Sequence, residues 1–60
     1  MDGKTIKEGM VLLDTIENRE CFVYWVTEDE FEFEYFDTGM SYAVELNDAG
    51  DFKFIREETF

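Results

Sequence analysis

Few side chains in this chain have chemistry beyond packing, and each can be weighed in turn. The 60 residues include no histidine, so neither a serine nor a cysteine can pair with an imidazole base. The single cysteine, Cys21, lies in an apolar stretch with acids on either side, which raises a thiol pKa and makes a weak nucleophile. It reads as a small packed hydrophobe. One cysteine and no histidine also rule out an internal disulfide and a zinc site of the usual composition. Glu32 and Glu34 are spaced for paired acid–base work, but alternate residues of a strand share an open sheet face. Hydrolysis needs a cleft, and a chain of about 60 residues rarely builds one. The Asn47-Asp48-Ala49-Gly50-Asp51 segment offers oxygens to Ca²⁺ without the EF-hand spacing or its bidentate glutamate, and reads as an ordinary turn. No enzyme activity, cofactor or metal is expected.

Charge is the stronger signal. The chain carries 16 acids against 5 bases, a formal net charge of −11. The bases sit toward the ends, at Lys4, Lys7, Arg19, Lys53 and Arg56, with none between Arg19 and Lys53. Direct nucleic-acid binding needs Lys and Arg to neutralise phosphates, and an anionic membrane surface needs them too. Both are excluded as partners. Glu28, Asp29, Glu30, Glu32, Glu34, Asp37 and Glu45 instead place a ladder of negative charge on one side of a small sheet. Alternate residues of a strand are about 6.8 Å apart, comparable with successive phosphates of a nucleic-acid strand. The expected partner is a protein with a basic, nucleic-acid-binding surface.

The elements that position this ladder follow from a period of two. Phe31-Glu32-Phe33-Glu34-Tyr35-Phe36 alternates, as do Met40, Tyr42, Val44 and Leu46 in the next segment. Cys21–Thr27 is apolar on both faces, Met10–Ile16 follows the Gly9 break, and Phe52–Ile55 forms a short last strand. Turn residues separate them at 17–20, 28–30, 37–39 and 47–50. The expected fold is all-β, a small five-stranded antiparallel meander closing into an SH3-like barrel. Ile6-Lys7-Glu8-Gly9-Met10-Val11-Leu12 resembles the first strand of such barrels.

Register can be derived from the turns. A four-residue loop at 36–39, with Gly39 at positive φ, pairs Phe33 with Tyr42 and Phe31 with Val44. A second at 27–30 pairs Val26 with Phe31, Tyr24 with Phe33 and Phe22 with Tyr35. The expected inner face is then Phe22, Tyr24, Val26, Phe31, Phe33, Tyr35, Met40, Tyr42 and Val44. The outer face holds Cys21, Val23, Trp25 and Thr27 beside Glu30, Glu32, Glu34, Ser41, Ala43 and Glu45. Trp25 with Val23 is the expected interface anchor next to the acids. A slip of one residue would exchange the roles of Trp25 and Tyr24.

In charge and size the chain is similar to small acidic inhibitors that imitate nucleic acid, such as those phages use against restriction or CRISPR enzymes. The alternative is salt adaptation: halophile-type proteins also carry many acids and few lysines, and their acidity only solvates the surface. Sixty residues make one domain, 1–60, with residues 1–8 and 56–60 expected as flexible ends. Such a chain buries only about 60% of its unfolded surface. Seven Phe, three Tyr and one Trp compensate, and a homodimer would be a second source of burial. The opening residues lack a signal-peptide apolar core, which with a lone thiol gives a cytoplasmic expectation.

Overall fold

Strands appear where the sequence alternates or runs apolar on both faces, and stop where Gly, Asn and Asp allow tight turns. A computed structural model describes residues 1–58 and contains five antiparallel strands: β1 Met10–Asp14, β2 Arg19–Val26, β3 Glu30–Tyr35, β4 Ser41–Glu45 and β5 Phe52–Glu57. They form one sheet in the order β4-β3-β2-β1-β5. Two short 3-10 helices accompany it, Gly3–Thr5 and Leu46–Asp51. The first four strands are a meander. The 47–50 segment, expected as a turn between strands, belongs to the second helix, which carries the chain from β4 to the far edge beside β1.

The β3–β4 hairpin has the expected register, with Phe31 opposite Val44, Glu32 opposite Ala43 and Phe33 opposite Tyr42. Gly39 takes φ 72° in its turn, and its N–H donates to the Tyr35 carbonyl. The β2–β3 pairing departs from expectation. Val26 does face Phe31, but a bulge between Val23 and Trp25 then shifts the strand by one residue. Val23 therefore faces Phe33 and Cys21 faces Tyr35, where Tyr24 and Phe22 were expected. Tyr24 is the extra residue of the bulge. Cys21 and Val23, both expected outside, are fully buried, while Tyr24 is exposed and Phe22 half-buried.

The core is Ile6, Met10, Leu12, Cys21, Val23, Phe31, Phe33, Tyr35, Ala49 and Phe52. Met40 and Tyr42 belong to the expected inner column and yet are exposed, because β4 is an edge strand and nothing closes over it. Phe52 of β5 meets Phe31 and Phe33 of β3 edge to face, each at 5.3 Å between ring centroids. Three strand spacings separate β5 from β3 along the sheet, about 14 Å if it were flat. The sheet must therefore curl, and the β2 bulge supplies the local bend and added twist. Among the described residues β4 and β5 do not pair, so the curled sheet stays open.

Gly3 and Ile6, from the segment expected to be flexible, are buried. A Cβ on Gly3 would meet the Leu46 carbonyl oxygen at 2.1 Å, so only glycine lets the two 3-10 helices touch. Residues 59–60 of the other expected flexible end lie outside the described residues. Among the described residues no helix is long and apolar enough to cross a membrane.

Candidate functional site

The outer face of β2, β3 and β4 gathers most of the expected contact residues. After the bulge, Trp25 lies opposite Glu32, and Glu32 in turn lies opposite Ala43 of β4. Trp25 is 52% exposed and its neighbour Tyr24 39%. At one end of β3, Glu30 faces Glu45 directly, a like-charge pair that costs stability in isolation. Glu28 and Asp29 continue the acidic stretch into the adjoining turn, which Thr27 holds by accepting the N–H bonds of Asp29 and Glu30 on its hydroxyl. Glu34 faces Phe22 on one side and Ser41 on the other.

Two expected members fall away. Val23 is in the core, because the bulge turns its side chain to the opposite face from Trp25. Asp37 sits beyond the other end of β3, roughly 20 Å along the strand direction from Glu28 and Asp29. There it pairs with Arg19 at 3.4 Å, an exposed contact. The remaining acids, Glu28, Asp29, Glu30, Glu32, Glu34 and Glu45, share a sheet face and one adjoining turn. None of them is in an ion pair among the described residues.

Tyr24 and Phe36 are the contact-surface residues that alternation missed. Phe36 is 56% exposed and tilts against Phe22 with ring centroids 6.5 Å apart. It widens the apolar area at the Glu34 end of the face. A signal for both was present in the sequence: each is an aromatic directly beside a turn or in a stretch apolar on both faces, where alternation cannot assign a side.

On the inner side, Asp14 is the one buried charged residue among the described residues. Its Oδ1 accepts from the N–H groups of Ile16 and Glu17, closing the β1–β2 turn, and its Oδ2 accepts the Tyr35 hydroxyl at 2.5 Å. Burial first, and the bond to Asp14 second, push the Tyr35 phenol pKa up. Cys21 is buried nearby with its Sγ 3.5 Å from the Leu12 carbonyl oxygen. Its pKa is pushed up to about 12, by desolvation above all and by the Asp14 charge next. At neutral pH it is a protonated thiol in a packed core, with the chemistry of a small hydrophobe. No protein-family model, no curated protein and no solved structure matches this chain.

Proposed function

We propose that this protein is a small, non-enzymatic binding domain whose acidic outer sheet face docks on a basic, nucleic-acid-binding surface of a partner protein. Trp25 carries this reading. It stands half-exposed opposite Glu32, in a stretch that holds no base between Arg19 and Lys53. An exposed indole opposite a glutamate of an acidic face suits a contact in which charge steers and the aromatic anchors. The Glu30–Glu45 pair adds support, since a basic partner would relieve the repulsion that the free domain bears. The free thiol suits a reducing compartment, and we place the protein in the cytoplasm.

The scaffold is taken to be a small SH3-like barrel left open on one side. The order β4-β3-β2-β1-β5, the 3-10 helix before β5 and the bend in β2 support that assignment.

The test reverses charge without touching the core. Glu32→Lys with Glu34→Lys replaces two side chains of the outer face and relieves repulsion, so the fold survives, checked by circular dichroism. Pull-down from lysate is expected to recover basic partners with the wild type and to lose them with the double variant. Excess duplex DNA or RNA should compete. Recovery of the same partners by both proteins would reject the face. Trp25→Ala is expected to act mainly on the dissociation rate.

A further inference from the structure

On the opposite side of the sheet from Trp25, the gap left by the missing β4–β5 pairing forms an open groove of about 570 Å³. Four consecutive residues of β4, Tyr42 to Glu45, line it. Consecutive strand residues point to opposite faces, so the backbone edge of β4, and not one face of it, must form that wall. Phe33, Tyr42 and Phe52 make an aromatic floor, of which Tyr42 is 45% exposed. Ile16, 72% exposed, stands at the rim.

The polar lining is one-signed. Glu17, Asp48 and Asp51 are the acids that line it besides Asp14 and the β4 edge, and among the described residues no base does. Asp14 also reaches it, but its oxygens are occupied by Tyr35 and the turn amides. None of the other three is in an ion pair among the described residues. Nor do acids there or elsewhere among the described residues gather closely enough to hold a metal ion. Dispersed carboxylates around an aromatic ring match a delocalised organic cation better than a point charge.

We propose that this groove receives an extended basic segment of a partner protein, which adds a strand to the β4 edge and sets an arginine side chain on Tyr42. The free edge supplies unpaired backbone N–H and C=O groups to an incoming chain. The Tyr42 ring takes the cation by its face, and the surrounding carboxylates neutralise it. This site uses no outer-face side chain, Glu45 entering only by its backbone at the end of β4, so the two contacts can succeed or fail separately.

The experiment is an NMR titration of the isotopically labelled protein at about 0.3 M salt, where long-range attraction is screened. The probe is an acetylated, amidated heptapeptide alternating arginine and valine. Two control peptides replace arginine by glutamine, or valine by proline, the latter keeping the charge and losing the strand amides. Binding of the arginine–valine peptide should shift the amides of 41–45 and Ile16 and slow β4 amide exchange. Both controls, and the protein variants Asp48→Asn with Asp51→Asn and Tyr42→Ala, should weaken it by at least about tenfold, the scale of one charge or cation–π contact. Glu32→Gln with Glu34→Gln should leave affinity unchanged. Absence of binding, equal binding of the proline peptide, or shifts centred on Glu30–Glu34 would each overturn the proposal. Because the peptides vary while the protein stays constant, misfolding of a variant cannot hide the answer.

Discussion

Strand β2 and the β3–β4 hairpin are neighbours in one sheet, yet they obey alternation to different degrees. In the hairpin every second residue of β3 is a glutamate, so a one-residue slip would bury a charge, and the register holds along its whole length. In β2 the run from Cys21 to Val26 offers apolar groups to both faces, so no such penalty protects it. The bulge is the result. It moves Val23 inward, where it faces Phe33, and leaves Tyr24 and Trp25 adjacent in the exposed part of the strand. Charge on one face defines register; apolar residues on both leave it to the curvature that the core demands.

Two lysine substitutions test this contrast with the largest effect. Val23→Lys would bury an unpaired charge at a cost above about 3 kcal/mol, which consumes the stability of a domain this small. Tyr24→Lys adds a base to an exposed acidic face and should change stability by about 0.5 kcal/mol or less. Urea unfolding followed by circular dichroism separates the two. If the costs were exchanged, β2 would be a regular strand and the bulge would be wrong.

A smaller effect is expected where β3 and the end of β1 meet. Tyr35→Phe leaves the buried Oδ2 of Asp14 without its hydroxyl donor, for a loss of about 1–3 kcal/mol. The same residue shapes the alkaline limb of stability. Tyr35 and Cys21 both have pKa values raised on folding, from ordinary values of 10.0 and 9.0. The neutral forms therefore contribute fully below pH 9.0, and their contribution is lost as pH rises from there toward 12. Unfolding midpoints measured across that range should fall, and Tyr35→Phe should flatten the part above pH 10.0. A wild-type midpoint constant with pH would contradict the burial of both groups.

Salt should act least, and on the hairpin more than on β2. Screening within a Debye length of about 10 Å at 0.1 M relieves Glu30 against Glu45, so β3–β4 amides should exchange more slowly with added salt. The melting temperature should rise and then level off for a binding face. Continued gain into molar KCl would favour salt adaptation of the whole surface instead.

Legibility followed the range of the interaction. The hairpin register, the Gly39 turn and the burial of Phe31 and Phe33 are local consequences of alternation, and all could be read in advance. The position of β5 could not. Asn47 to Gly50 has the composition of a simple turn, while the destination of the strand depends on Phe52 covering Phe31 and Phe33 from across the sheet. The Asp14–Tyr35 bond spans 21 residues and had no local mark beyond an aspartate at a strand end. For the outer face, six of the acids were legible because charge excludes them from the core, and Trp25 because it lies between the 27–30 turn and the bulge, where the expected Val26–Phe31 pairing holds. Val23 was misplaced for the same reason that the bulge was invisible.

The exposure of Trp25 has an optical consequence. It is the only indole in the chain, and in the folded domain it is already half in water. Its emission should be red-shifted before any denaturant is added, so fluorescence would be a poor gauge of unfolding. A partner that covers the outer face would move the same band to shorter wavelength. A peptide entering the β4 groove, on the other side of the sheet, would leave the colour unchanged.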